Sequence, residues 1–166
     1  MMNKFQKGVG LIEVLVAMLI LSIGILGFVA LQARATAATT EALKRSEALL
    51  VLQGLAERIR LNSQGNYLAS AANKNCITNI CNANDQAQDD LYFFNKEATT
   101  KNMKVSTIEC PQTSTEQPRT CLIAAWDKTE PNKGAMPTDT TQNIPCLVAD
   151  GSKYQDGATC LLMEVY

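Results

Sequence analysis

Residues 14–31 of this chain form a stretch of 18 residues without a charge, most of them apolar. An apolar run of that length is typical of a helix that crosses a membrane rather than of a helix buried in a soluble domain. A single carboxylate, that of Glu13, directly precedes it. Because a carboxylate at membrane depth costs about 2.5–3.5 kcal/mol on insertion scales, Glu13 is either a functional residue with a partner or a side chain that snorkels to the lipid headgroups.

The segment before this run is a short basic leader. Residues 1–7 contain two lysines and no acid, and residues 8–13 read GVGLIE. The leader is too short to hold the apolar segment of an ordinary secretory signal. It resembles the class III leader of type IV prepilins. This resemblance implies that a prepilin peptidase cuts between Gly8 and Val9 and N-methylates Val9, which makes Glu13 the fifth residue of the mature chain.

The resemblance also implies a role for Glu13. In this family the carboxylate at that position is thought to pair with the N-terminal ammonium of a neighbouring subunit, and such a pair offsets the burial of both charges in a bundle of apolar helices. Glu13 is then a residue of filament assembly. Two alternatives stay open: a cut after Gly10, which would make Glu13 the third residue, and a plain membrane anchor or signal that is never cleaved.

The charges and cysteines predict the orientation. Lys4 and Lys7 precede the span, whereas the charges that follow it, from Arg34 onward, are mixed. The positive-inside rule therefore places the N-terminus in the cytoplasm and the rest beyond the inner membrane of a bacterium. All six cysteines lie at Cys76 or beyond, which agrees with an oxidising compartment.

The helical pattern continues beyond the span, and no proline interrupts it before Pro111. We expect one helix over residues 11–61, with the apolar residues of its second half facing a soluble head. The resemblance implies an α+β pilin fold in which this helix packs on a small antiparallel sheet. The expected segments of the chain are the leader 1–8, the membrane-spanning half of the long helix 9–31, its amphipathic half 32–61 and the head 62–166. The apolar residues expected to face the head are Leu43, Leu49, Leu52, Leu55, Ala56 and Ile59.

The head is predicted to hold one short helix and four strands. Gly65 is a candidate terminator of the long helix, and a capping pattern that starts at Asp85 predicts a second helix over residues 86–99. Tyr92 and Phe93 are expected to help cover the sheet. Runs with β character, each pair joined as a hairpin, occupy residues 104–110, 121–126, 144–149 and 159–166, and residues 128–143 are expected to form a surface loop.

Disulfides are the best interpretation of the cysteines, because the chain has no Cys-x-x-Cys pattern and no histidine for a zinc site. Six cysteines allow 15 connectivities. The nearest-neighbour choice would close one tight loop and tie the bases of the two expected hairpins. It pairs Cys76 with Cys81, Cys110 with Cys121, and Cys146 with Cys160.

The composition argues against most other functions. Without histidine, a glycine-rich phosphate loop or an activated nucleophile, an enzyme is not expected, and neither is a cofactor. Residues 62–166 carry a net charge of −4, which disfavours nucleic acid. Calcium is an alternative interpretation of two clusters, which turn and capping chemistry explain equally well. These clusters are Asp150 with Asp156, and Asn82 with Asn84 and Asp85.

Within type IV pilins, the chain resembles the minor pilins of the PilV type. The features that carry this resemblance are the proline-free span, the segment 81–94 with Asp90 before aromatic residues, and the six cysteines. It implies a minor-pilin complex that primes pilus assembly in the inner membrane and lies at the pilus tip. The partners implied are other minor pilins, the major pilin, prepilin peptidase and a tip adhesin of the PilY type. The alternatives are a minor pseudopilin of a type II secretion system and a tip adhesin or receptor.

Overall fold

The computed structural model describes residues 10–114, 118–139 and 141–165. Its elements are two helices and five strands, in an α+β arrangement in which the helices precede the strands. They are α1 (Leu11–Leu61), α2 (Ala83–Thr100), β1 (Met103–Glu109), β2 (Thr120–Trp126), β3 (Thr129–Lys133), β4 (Ile144–Leu147) and β5 (Cys160–Val165). By its contacts the chain divides into two compact units, residues 1–42 and residues 43–166.

Helix α1 has the bounds expected from the sequence and is continuous over 51 residues. In the first unit, every residue from 10 to 40 is exposed. This part of the helix is long and apolar enough to cross a membrane. Its side chains therefore have the exposure expected of a helix whose surroundings are lipid or other helices.

In the second unit, α1 buries a stripe that differs from the predicted one. Leu43 and Leu49 were expected to face the head, but both are exposed. The buried side chains recur at the 3.6-residue period of one helix face, and the stripe starts with small Ala48, which lets α1 lie close to the head. The stripe consists of Ala48, Val51, Leu52, Leu55 and Ala56, with Ile59 partly buried beside them.

The turn after α1 depends on space around Gly65. A Cβ at this position would lie 2.5 Å from Asn62 Nδ2 and 2.8 Å from the carbonyl oxygen of Ala83. Its amide donates to the carbonyl of Asn62 at 3.0 Å, which closes the turn. Gly65 therefore lies at the end of the helix as predicted, but the requirement comes from the close approach of α2.

Helix α2 begins three residues earlier than predicted. Asn82 is its N-cap, because the Asn82 side chain accepts a hydrogen bond from the amide of Asp85 at 2.9 Å. The predicted positions Leu91, Phe94 and Ala98 are buried. Tyr92 and Phe93 were expected to cover the sheet, but both are exposed, since they lie on the opposite face of α2.

Strand β2 is the centre of a three-stranded antiparallel sheet of order β1-β2-β5. Thr107 is opposite Leu122 in the first pair, and Leu122 is opposite Met163 in the second. Residues 121–126 are all buried, because β2 packs on α1 and α2 with one face and on the second apolar cluster with the other. A central strand buried on both faces is uniformly apolar rather than alternating.

Two predictions about the C-terminal part of the head are wrong. The second expected hairpin does not form, because β5 pairs with β2 while β4 pairs in parallel with β3. Residues 128–143 were expected to be a loop, yet they contain β3. Thr129 at the start of β3 is buried and accepts a hydrogen bond from the amide of Thr159 at 2.9 Å. This contact joins residues 30 positions apart, so local turn signals do not reveal it.

Candidate functional site

Glu13 lies in the first turn of α1. Its own amide and that of Val14 donate to the carbonyl of Gly10, at 3.0 and 3.4 Å, which starts the helix. The side chain borders a shallow surface groove whose other residues are apolar and follow it at helical spacing: Val14, Ala17, Met18 and Leu21. The predicted cleavage residues, Gly8 and Val9, lie outside the described residues.

The carboxylate of Glu13 lies at the start of an apolar helix surface. Among the residues that the structure describes, Glu13 makes no ion pair and no side-chain hydrogen bond. The N-terminal end of a helix stabilises a negative charge, but only by about 0.3–1 kcal/mol at an exposed site. An ammonium ion from a second chain would neutralise the carboxylate once an apolar environment surrounds it. Among the described residues, those that line the groove with Glu13 are all apolar, so none of them is an acid or base for catalysis.

The six predicted cysteines form three disulfides, and they are the nearest-neighbour pairs that the sequence favoured. The Cα atoms lie 5.5 Å apart in Cys76–Cys81, 4.8 Å apart in Cys110–Cys121 and 5.9 Å apart in Cys146–Cys160. All three distances are within the range of ordinary disulfides. The described part of the chain has no free cysteine.

The three disulfides have different surroundings. Cys110–Cys121 joins the end of β1 to β2, beside a hydrogen bond from the Cys110 amide to the Arg119 carbonyl at 2.8 Å. Cys146–Cys160 joins β4 to β5 inside the second apolar cluster. The Cys76–Cys81 bond instead closes a surface loop that exposes two isoleucines.

Sequence reasoning missed the functions of two adjacent acids in α2. Asp89 accepts hydrogen bonds from the amides of Lys74, Asn75 and Cys76, at 2.7, 2.9 and 3.2 Å, and so fixes the start of the surface loop. Asp90 is buried and accepts from the Tyr67 hydroxyl at 2.8 Å. Two consecutive acids in the middle of an amphipathic helix were the available signal, because one of them must lie near the buried face.

Four of the five residues considered for calcium have structural roles, and the structure assigns none to Asp156. Asn82 caps α2, and Asn84 accepts a hydrogen bond from the amide of Asn66 at 2.9 Å. Asp85 forms an ion pair with Lys74 at 3.2 Å. Asp150 accepts from the amide and the hydroxyl of Ser152, at 3.0 and 2.8 Å, and these hydrogen bonds lower the pKa of its carboxyl.

Two family models match the chain. Residues 3–29 match the prokaryotic N-terminal methylation motif, and residues 30–92 match the family described as type IV pilin Tt1218. The first match includes Gly8, Val9 and Glu13, and the second extends from the middle of α1 through Asp89 and Asp90 in α2. No curated protein and no solved structure matches the chain.

Proposed function

We propose, from the premise that this chain is a type IV pilin-like protein and therefore a structural subunit rather than an enzyme, that it is a minor pilin. In this proposal a prepilin peptidase removes residues 1–8 and methylates Val9. Before assembly, the mature protein resides in the inner membrane with its head in the periplasm. It then enters the filament through α1, with Glu13 paired to the N-terminal ammonium of a neighbour.

This proposal rests on the position of an acidic residue, Glu13, at the start of an exposed apolar helix. Residues 10–40 are exposed, and Glu13 borders a groove of apolar side chains. Such a surface is stable in lipid or in a bundle of similar helices. An unpaired carboxylate is unfavourable in either environment, so Glu13 makes transfer from lipid into a bundle favourable when a cationic neighbour is present.

The assignment to minor pilins is supported by the head. Three disulfides are distributed over it, from the surface loop to β5, whereas major pilins more often carry a single C-terminal disulfide loop. The resemblance to the PilV type adds a position at the pilus tip, in a complex with other minor pilins and beside a PilY-type adhesin. In this position the subunit primes assembly of the major pilin.

The intact mass of the protein extracted from membranes tests the processing step. Cells that contain prepilin peptidase should yield a chain that lacks residues 1–8 and carries one added methyl group, and cells without the peptidase should yield the full chain. The same unprocessed mass in both strains would contradict the proposal.

The variant Glu13→Ala tests assembly. We expect its amount in sheared surface filaments to fall at least about tenfold, because an uncompensated N-terminal ammonium in the helix bundle costs several kcal/mol, while its amount in the membrane stays normal. Glu57→Ala is the matched control. Glu57 is also on α1 but forms only an exposed ion pair with Arg60 at 2.6 Å, and its loss should have little effect.

The composition of the sheared filaments tests the minor role. A tip subunit that primes assembly should be far less abundant than the major pilin, and its deletion should reduce the number of filaments rather than their length. Equal abundance with the major pilin, or a normal number of filaments after deletion, would contradict this part of the proposal.

A further inference from the structure

We propose that the loop of residues 76–81 inserts Ile77 and Ile80 into an apolar pocket on the head of a neighbouring pilin-like subunit. This inference rests on the proposed function, since it requires that the head lies beside other heads in a filament. It adds a contact made by the head to the contacts that α1 makes.

The two isoleucines expose far more apolar surface than the fold requires. Ile77 is 92% exposed and Ile80 is fully exposed, although both lie in a described and structured part of the head. Neither belongs to the two apolar clusters that form the core. Burying such a side chain in a partner's pocket stabilises the complex, because the apolar area is removed from water. Their surface therefore stabilises nothing in the isolated chain and is available to a partner.

The loop is held in one conformation by contacts at its base. The Cys76–Cys81 disulfide closes it, and the carboxylate of Asp89 holds the three amides that precede its first isoleucine. Inside the loop, the amides of Thr78 and Asn79 both donate to the carbonyl of Asn75 at 3.0 Å. A loop fixed in this way loses little conformational entropy on binding, which is a property of anchoring residues in protein interfaces.

The charges around the loop favour a protein over a lipid surface. Residues 75–81 carry no charge, and the ammonium of Lys74 is paired with Asp85 at 3.2 Å. The carboxylate of Asp89 at the base of the loop accepts three backbone hydrogen bonds and is stabilised within the head. An anionic membrane surface attracts unpaired basic residues, and residues 74–81 offer none. The partner surface that fits is an apolar pocket with a neutral rim.

Tyr92 extends this surface on α2. It follows Asp89 by three residues, so its side chain is on the same face of the helix as the residue that holds the loop. Its ring is 38% exposed. Exposed tyrosines are enriched in protein interfaces.

The test is the incorporation of the double variant Ile77→Asn/Ile80→Asn into sheared filaments, with the full chain expressed in its own cells. Both side chains are exposed, so the variant should keep its three disulfides and its normal amount in the membrane. We expect its incorporation to fall at least about tenfold, the loss that corresponds to one buried isoleucine. The variant Ile77→Leu/Ile80→Leu should incorporate normally. Met136→Asn is the matched control, since Met136 is a 45% exposed apolar residue elsewhere on the head.

A second measurement identifies the occupant without relying on the variants. A benzophenone amino acid at position 77, irradiated in intact cells, should crosslink to the head of a pilin-like subunit, identified by mass spectrometry. The same amino acid at position 136 should give a much lower yield of this crosslink. Crosslinks from position 77 to phospholipid alone, or no crosslink in assembled filaments, would overturn the inference, as would normal incorporation of the asparagine variant.

The Glu13→Ala variant in the same assay separates the two proposals. If Glu13→Ala fails to incorporate while Ile77→Asn/Ile80→Asn incorporates normally, only the docking loop is wrong. If both incorporate normally, the proposed function fails and the docking loop fails with it.

Discussion

At the scale of single residues, Tyr67 and Asp90 form a hydrogen bond between two buried polar side chains of the head. Both side chains are nearly inaccessible to water, at 3% and 7% exposure. The Asp90 carboxylate accepts from the Tyr67 hydroxyl at 2.8 Å and from Gln86 Nε2 at 3.0 Å. A buried carboxylate is tolerated when its oxygens are satisfied in this way. The pair therefore fixes the segment after α1 onto α2, and loss of either partner removes a hydrogen bond from a buried polar group.

This contact makes the stability of the head sensitive to alkaline pH. Burial, followed by the hydrogen bond to Asp90, raises the pKa of Tyr67 to about 12. Because the folded pKa is above the unfolded value of about 10, the protonated phenol contributes stability that is fully present below pH 10 and is lost as the pH rises toward 12. We expect the free energy of unfolding to fall by about 1 kcal/mol from this group alone between pH 9 and pH 11.

Urea unfolding of the detergent-solubilised mature protein at several pH values between 8 and 11 measures this effect. Tyr67→Phe should be less stable at pH 8, since it leaves Asp90 without one donor, but its stability should fall less steeply with pH. Equal slopes for the two proteins would show that the pKa of Tyr67 is the same in the folded and unfolded states.

Residues whose roles depend on nearby sequence were predictable, and those whose partners lie far along the chain were not. The leader and the apolar run identify Glu13 without any knowledge of the head. Asp90, in contrast, meets Tyr67 across 23 positions, and Gly65 is required because the backbone of Ala83 approaches it. The neighbouring residues mark Asp90 and Gly65 as special positions, but they do not show which distant residue each one contacts.

At the scale of elements, the periodicity of the sequence predicted the helices, but it did not predict the pairing of β3, β4 and β5. The bounds of α1 agree with prediction, because a long run without proline leaves few places to stop. The strands of the first hairpin were located within about two residues, since their pairing is local. The pairing of β5 with β2 joins Cys160 with Ala125 across 35 positions, and only the assembled core selects it over a hairpin with β4.

The disulfides should contribute unequally to stability. Cys146 and Cys160 are buried in the second apolar cluster and close a loop of 14 residues, whereas Cys76–Cys81 closes one of 5 at the surface. Loop entropy predicts about 3 and about 2 kcal/mol, and serine hydroxyls in the apolar cluster add a further cost. We therefore expect Cys146→Ser/Cys160→Ser to destabilise the head more than Cys76→Ser/Cys81→Ser.

Thermal unfolding of the two double variants, monitored by circular dichroism, compares them directly. The surface variant should remain folded at 37 °C, and the core variant should show a much lower midpoint. A larger loss from the surface pair would mean that the 76–81 loop supports the core, contrary to its exposure. The loop of residues 76–81 would then contribute to folding, so its contact with a neighbour would have to be tested with single isoleucine variants.

At the scale of the whole molecule, the boundary between the two units does not coincide with the end of a secondary structure element. Contacts divide the chain after Ala42, within α1, while the helix itself continues to Leu61. The reason is that the helix changes environment without changing conformation. Residues 10–40 bury nothing in this chain, and the stripe that starts at Ala48 belongs to the core of the head. A boundary at residue 62, read from the end of the helical pattern, would remove that stripe.

This division predicts which part of the chain folds alone. Val51, Leu52 and Leu55 are 3%, 0% and 0% exposed, and burial of three such side chains contributes about 5–9 kcal/mol, which is comparable to the whole stability of a small domain. Residues 43–166, produced in an oxidising compartment, should therefore form three disulfides and unfold cooperatively in urea. Residues 62–166 lack the stripe and should aggregate or bind hydrophobic dyes. Cooperative unfolding of the shorter fragment would show that the sheet and α2 form a stable core without α1.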